Sequence, residues 1–281
     1  MAPKLWLVQA MWGMVGLPSR RQEWSVERKL ELIAEAGFDA VDLDIPLVAG
    51  KESWWERALK KHGLGLGLQG PFIHGLDDLE RCARTVIRMK APYLDAQVGD
   101  AFMPEAAARR LLRTLVAAAS KRKVSLRVQT HRGRVTQDLL RTVDLCRAVP
   151  RMRLNLDLSH YFVAGGFGAE PLAREAEEAF DLLLRRTSMI DARVSNGHQV
   201  QVDIGPEGES PYAAHFLRLW KRAMAYWLES AGPDDLFVFR SELGPPDYSI
   251  LDLEGRELSD RWAQAKVMLK LGRRLWDEVI H

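Results

Sequence analysis

Val128-Gln129-Thr130-His131-Arg132-Gly133 and Asn155-Leu156-Asp157-Leu158-Ser159-His160 each close a short apolar run and stand just before a helical pattern. Two later run-ends repeat the arrangement, Met189-Ile190-Asp191-Ala192-Arg193 and Phe239-Arg240-Ser241-Glu242-Leu243-Gly244-Pro245. In a chain that alternates strands and helices, strand ends are where catalytic side chains collect. Successive run-ends here each offer one oxygen ligand: Gln129, Asp157, Asp191 and Glu242. The functional reading turns on whether those oxygens meet around one centre.

Outward from these stretches the same unit recurs. Strands are expected at Leu5–Gln9, Phe38–Leu43, Leu64–Leu68, Tyr93–Val98, Val124–Val128, Arg153–Leu156, Ser188–Val194 and Leu236–Arg240. Ser25 caps the first helix, Glu27 suits its positive end, and Gly37 stops it. Further helices are expected over Trp54–His62, Leu76–Lys90, from Pro104 onward, over Gln137–Ala148 and over Glu170–Arg186. A long polar loop, Ser195–Ser210, precedes a Trp- and Tyr-rich helix ending near Gly232, and Asp260–Val279 closes the chain. The alternating glycines of Leu64-Gly65-Leu66-Gly67-Leu68 point to a bulky neighbour or a tight inner layer. Repeated strand–helix units without a Pro-, Ser- or charge-rich linker read as one (β/α)8 TIM barrel, an α/β fold spanning residues 1–281 as a single domain. A doubly wound sheet would carry a Gly-rich phosphate loop after its first strand, and Met11-Trp12-Gly13-Met14-Val15-Gly16 matches that poorly.

Bulk composition agrees. With 281 residues, 47% of them hydrophobic, the chain can bury a large core, and a barrel takes about 250 residues as one domain. A net charge of +2 without long one-sign blocks argues against a nucleic-acid partner. Cys82 and Cys146 lack CxxC spacing and read as buried thiols. Met1-Ala2-Pro3-Lys4 runs into an apolar strand without a signal-peptide layout, and no apolar stretch reaches the roughly 18 residues that cross a bilayer, so no membrane partner and a cytoplasmic location are expected.

Around the four oxygens, several residues carry two readings. His160, three after Asp157, is either a loop or cap histidine or a substrate hydrogen bond and proton carrier. His131 and Arg193 lie two residues past Gln129 and Asp191 and point to the same side if the strands continue. His74 closes the third strand and lines a pocket in the functional reading. Trp12 offers either an apolar wall for a sugar ring or plain packing. Trp54 and Trp55 fit a homo-oligomer interface as well as helix-to-barrel packing.

At these motifs the chain resembles the xylose isomerase-like TIM-barrel superfamily, and within it the sugar phosphate isomerase/epimerase group. Gln129-Thr130-His131-Arg132-Gly133 is similar to a Glu-Thr-His-Arg-Gly segment, Asp157-Leu158-Ser159-His160 to Asp-x-x-His, Ala192-Arg193-Val194 to His-Ala-Arg-Val, and Glu242-Leu243-Gly244-Pro245 to the last-strand motif. The resemblance implies a divalent metal, Mn2+ or Mg2+, held by Glu, Asp, His and Glu at the ends of strands five to eight. It also implies two carboxylates passing a proton beside a sugar carbonyl. Here the metal positions are Gln129, Asp157, Asp191 and Glu242. Gln129 replaces a glutamate and Asp191 a histidine, and a neutral amide is a weak ligand and no base.

The expectation is therefore a sugar, polyol or keto-sugar isomerase/epimerase with a small carbohydrate-like substrate. Glu242 would be its base, Asp157 and Asp191 metal ligands, and His160 a contact to a substrate hydroxyl. Two alternatives stand beside it: a dehydratase or lyase in the same pocket, and a metal-free sugar-binding or scaffold protein in which the metal has been lost. A DNA-repair nuclease would need a richer His/Glu cluster.

Overall fold

The computed structural model describes residues 3–281; Met1 and Ala2, where the reading for a signal peptide begins, lie outside the described residues. Eight parallel strands close a barrel in sequence order: β1 (Lys4–Ala10), β2 (Ala40–Asp44), β3 (Gly65–Gln69), β4 (Leu94–Ala96), β5 (Leu126–Gln129), β6 (Arg153–Leu156), β7 (Thr187–Ala192) and β8 (Leu236–Ser241). Closure comes from β1 and β8, paired from Lys4↔Leu236 to Gln9↔Ser241. The flanking helices are α1 (Val26–Ala36), α2 (Ile45–Val48), α3 (Glu52–His62), α4 (Leu76–Met89), α5 (Glu105–Lys121), α6 (Leu139–Ala148), α7 (Leu158–Gly165), α8 (Arg174–Leu184), α9 (Ala213–Leu228) and α10 (Arg261–Ile280).

Local signals place most of these elements. The Ser25 hydroxyl accepts from the Arg28 amide at the start of α1, and Gly37 ends that helix with a φ of 89°. Leu30 and Ile33 of α1 are fully buried against the barrel. Burying such a side chain stabilises by roughly 1.5–3 kcal/mol, so the apolar stripe rather than helix propensity holds α1 in place. The short helices α2 and α7 carry no long apolar period and were not legible as separate elements. Asp157, at the end of β6, caps α7 by accepting from the Ser159 amide at 2.9 Å.

The barrel interior has two layers. Its floor is mainly apolar, with Val8, Ala40, Tyr93, Met189 and Val238 packed against Trp6 and Leu236; the buried Arg127 guanidinium lies 4.5 Å from the Tyr93 ring and donates to the Leu236 carbonyl at 2.9 Å. The glycines of β3 make room here. A Cβ on Gly65 would come within 2.7 Å of the Trp6 ring, and one on Gly67 would fall on the Tyr93 hydroxyl and within 2.6 Å of Asp42 Oδ2. Above the floor the interior is ionic, as described below.

Both cysteines are buried free thiols. Trp55 is an inward-facing packing residue whose indole donates to the Leu47 carbonyl at 3.0 Å, while Trp54 is partly exposed and edge-on to it. Among the described residues, no helix is long and apolar enough to cross a membrane.

Candidate functional site

Strand ends bring together the four oxygen-bearing residues. Gln129, Asp157 and Asp191 are completely buried and Glu242 is 5% exposed. Ligand oxygens of Asp157, Asp191 and Glu242 lie within 4.8 Å of one another, an acidic group of the kind that can hold a cation.

Two guanidinium groups run through this group. Arg240, on β8 one pleat below Glu242, gives Nε to Asp191 Oδ1 at 2.6 Å and Nη2 to Asp191 Oδ2 at 2.9 Å. Its Nη2 also reaches Asp95 Oδ2 at 2.7 Å and Glu242 Oε1 at 3.0 Å, while Nη1 lies 3.0 Å from Asp42 Oδ1. Arg193 bridges Asp157 Oδ2 and Glu242 Oε2, the latter at 2.9 Å. Its remaining donors go to the Glu242 carbonyl and the Ser159 hydroxyl. Asp157 Oδ1 is taken by the Ser159 amide and hydroxyl.

The protonation of the cluster follows from its charge imbalance. Asp42, Asp95, Asp157, Asp191 and Glu242 face only Arg193 and Arg240 as bonded cations. Burial pushes Glu242 well above the usual carboxylate range; Asp191 adds to this, and Arg240 and Arg193 oppose it. Burial likewise lifts Asp95 to about 7 against the pull of Arg240, and raises Asp42. Burial disfavours the charge on Arg240, but Asp191, Asp42, Asp95 and Glu242 outweigh that and hold it firmly protonated. Excess carboxylates in a low-dielectric space take up protons rather than remain charged side by side.

The donor set does not fit a resident divalent ion. A metal needs oxygens free to point at it, whereas the Asp191 and Glu242 oxygens already accept from arginine. Gln129 turns the wrong group inward: its Nε2 donates to Asp191 Oδ2 at 2.8 Å and reaches Glu242 Oε1 at 3.4 Å, leaving Oε1 without a partner. Two carboxylate neighbours require the amide nitrogen on that side. Gln129 thus offers the centre a donor where the sequence reading placed an oxygen ligand.

The residues read as substrate-facing lie at the mouth. His160 is buried, with Nε2 3.4 Å from Asp157 Oδ2, and burial together with Arg193 and His131 holds it well below the usual histidine range, so it is neutral. His131 packs against it with ring centroids 4.2 Å apart and is lowered by its own burial. Tyr248, from the loop after β8, covers this level. Its hydroxyl lies 3.2 Å from His131 Nε2, its ring is 4.8 Å from the Arg193 guanidinium, and Trp12 meets it edge-on at 5.2 Å. His74 stands exposed on the loop after β3, with no side-chain contact to the cluster. The structure therefore gathers Gln129, His131, Asp157, His160, Asp191, Arg193 and Glu242, places Trp12 at the rim through Tyr248, and leaves His74 apart.

Arg240, Asp42, Asp95 and Tyr248 were not singled out from the sequence. A usable signal existed for three of them: a charged residue inside an otherwise apolar strand, as in Ala40-Val41-Asp42-Leu43 and Tyr93-Leu94-Asp95-Ala96. Arg240 precedes Glu242 by two residues, and alternation puts both on the inner face. Tyr248 had no such mark, because its position depends on the course of a loop.

Chemically, the arrangement offers fixed guanidinium charges, a buried carboxyl held above its usual range and neutral imidazoles beneath an aromatic cover. Such groups can bind and polarise oxygen-rich ligands.

No relative among curated proteins matches the sequence. Similar solved structures include a xylose isomerase-like TIM barrel protein from Mycobacterium smegmatis in complex with magnesium, with 14% identity, 96% of this chain and 98% of that chain covered, and a TM-score of 0.60. The E. coli 3-keto-D-glucoside 4-epimerase matches at 15% identity over 96% of this chain and 100% of that one, with a TM-score of 0.58. A probable 3-DHS dehydratase from Bacillus anthracis matches at 13% identity over 95% and 97%, with a TM-score of 0.57. At these identities the likeness speaks for the fold. The family model described as xylose isomerase-like TIM barrel matches residues 30–219, and the chain belongs to that family.

Proposed function

We propose that this protein is a metal-independent carbohydrate-binding barrel derived from a sugar isomerase/epimerase scaffold, with residues 1–281 acting as one cytoplasmic domain. The observation that carries the reading is Arg240, whose guanidinium bonds Asp191, Asp95 and Glu242 in the space a strand-end cation would need. Family membership and sugar-processing structural neighbours support a small carbohydrate as the ligand. A sugar would enter at the mouth by displacing Tyr248, lie against Trp12, and place its hydroxyls near His131, His160 and Arg193. Aromatic faces with a few fixed polar groups are the usual make-up of such a site.

The test is titration of keto-sugars and polyols, followed by tryptophan fluorescence, in EDTA and then in Mn2+. Affinity is expected to be the same in both, and about ten-fold or more weaker in Trp12→Ala, the loss of one stacking wall. Binding that appears only with Mn2+ overturns the metal-free reading.

One observation favours a second reading, a metal-free isomerase or dehydratase. Glu242 is held well above the usual carboxylate range, the property of a tuned acid–base group. In this reading Glu242 exchanges a proton with the carbon next to a carbonyl, and Arg193 stabilises the developing oxyanion. Exchange of carbon-bound hydrogen into heavy water, abolished in Glu242→Gln, would establish it; undiminished exchange in that variant would end it.

A further inference from the structure

A separate cavity of about 190 Å³ opens between the segment 199–203 after β7, the loop 249–259 after β8 and the start of α10. None of Asp157, Asp191, Arg193, Arg240 and Glu242 lines it. Val202, Leu243, Ile250 and Leu258 supply an apolar wall.

The charged and amide groups of the lining are largely committed to each other. Arg261 holds Glu257 through Nε at 3.0 Å and Nη2 at 2.8 Å, and its other contacts go to the carbonyls of Gly13 and Val15. Asp203 accepts from the Ser259 hydroxyl and the Gly205 amide. Gln264 joins the Ile204 amide to the Gly205 carbonyl, and Gln201 clamps Gly244 through both its amide and its carbonyl. The Ser249 hydroxyl is buried and without a partner in the protein, and the exposed Gln199 is engaged only through Oε1, by Asn196.

We infer that this cavity binds a small, uncharged, mainly apolar molecule carrying one hydroxyl-like group that pairs with Ser249. An anion would find the one cation of the lining, Arg261, already bonded to Glu257, a cation would find the Asp203 oxygens already accepting from Ser259 and Gly205, and a sugar would leave most of its hydroxyls unpaired. The volume suits a single ring with a short substituent, since an apolar cavity of about 150 Å³ takes a benzene-sized guest. Occupancy also reaches the ionic centre. Ser249 follows Tyr248 in the chain, Leu243 follows Glu242, and Gln201 ties Gly244 to the opposite wall. A bound molecule therefore fastens the loop that carries Tyr248 over Arg193.

The test uses the full chain with benzyl alcohol and toluene as probes, read by calorimetry and saturation-transfer NMR. Both probes are expected to bind saturably at one site, and amide exchange across residues 244–259 is expected to slow. Ile250→Trp and Leu258→Trp change exposed positions and keep the fold, checked by circular dichroism; each fills the cavity and weakens both probes about ten-fold or more. Ser249→Ala weakens benzyl alcohol about three- to ten-fold, the loss of one hydrogen bond, and leaves toluene unchanged. Absence of saturable binding by the native protein, or equal binding in both tryptophan variants, overturns the inference.

Discussion

The two layers inside the barrel meet opposite problems with the same strands. On the floor, Trp6 fills the space over Gly65 and Tyr93 that over Gly67, and the layer is held mainly by shape. In the upper layer Asp42, Asp95, Asp157, Asp191 and Glu242 are held by Arg193 and Arg240. An apolar layer degrades gradually as atoms are removed or added, because each contact is small. An ionic layer fails abruptly, because removal of one partner leaves buried charge uncompensated. Here arginine supplies the positive charge from within the chain.

The largest effect should come from Arg240→Leu, which leaves Asp42, Asp95, Asp191 and Glu242 without their shared guanidinium. A loss of about 3–5 kcal/mol in urea unfolding is expected. The variant also sharpens the contrast between arginine and metal: Mn2+ should raise the melting temperature of Arg240→Leu and leave that of the native protein unchanged. An equal Mn2+ response in both proteins would show that the guanidinium does not stand in for a cation.

Overpacking the floor is the next test. Gly67→Val pushes new atoms onto the Tyr93 hydroxyl and Asp42, and a loss of about 1–3 kcal/mol is expected by chemical denaturation. An unchanged midpoint would mean that the floor can yield at Tyr93 and Asp42 without cost.

Proton uptake separates the layers by pH. Asp95 rises from 3.8 to about 7 on folding, so the native state binds more protons than the unfolded chain between those values. The contribution is fully present below about pH 4 and is lost as pH rises to about 7, with a slope of at most about 1.4 kcal/mol per pH unit. Raised Asp42 and Glu242 act in the same direction. Unfolding measured from pH 5 to pH 8 should show stability falling as pH rises, with a shallower fall in Asp95→Asn. An unchanged slope in that variant would remove Asp95 from the account.

The smallest effect belongs outside the barrel. Ser25→Ala removes the side-chain cap of α1 and should cost about 1 kcal/mol, with no change in the pH slope or in ligand binding. A change in either would mean that the helical ring and the ionic centre are coupled.

The local pattern carried a good deal of this protein. The order and type of the eight strands, the stop at Gly37, the polar loop over residues 195–210 and the convergence of Gln129, Asp157, Asp191 and Glu242 all follow from short-range periodicity and from the rule that parallel strand ends share one face. The start of α8 is four residues later than the sequence implies, at Arg174 instead of Glu170, because helix ends depend on capping and packing that periodicity does not resolve. Asp157, read from the sequence as a metal ligand, caps α7 through Oδ1 and pairs with Arg193 through Oδ2.

What the sequence by itself determined is the barrel and the set of polar residues at its mouth, since alternation along each strand needs no knowledge of the other strands. Only the tertiary structure decided what those residues do to one another. Arg240 meets Asp42 from β2, Asp95 from β4 and Asp191 from β7, residues distant in the chain. The turn of Gln129's nitrogen toward Asp191 and Glu242, and the cover that Tyr248 lays over Arg193, are equally non-local. Coulomb attraction and desolvation depend on distance and burial in space, so the pairing of these carboxylates with guanidinium groups is made only when the barrel closes.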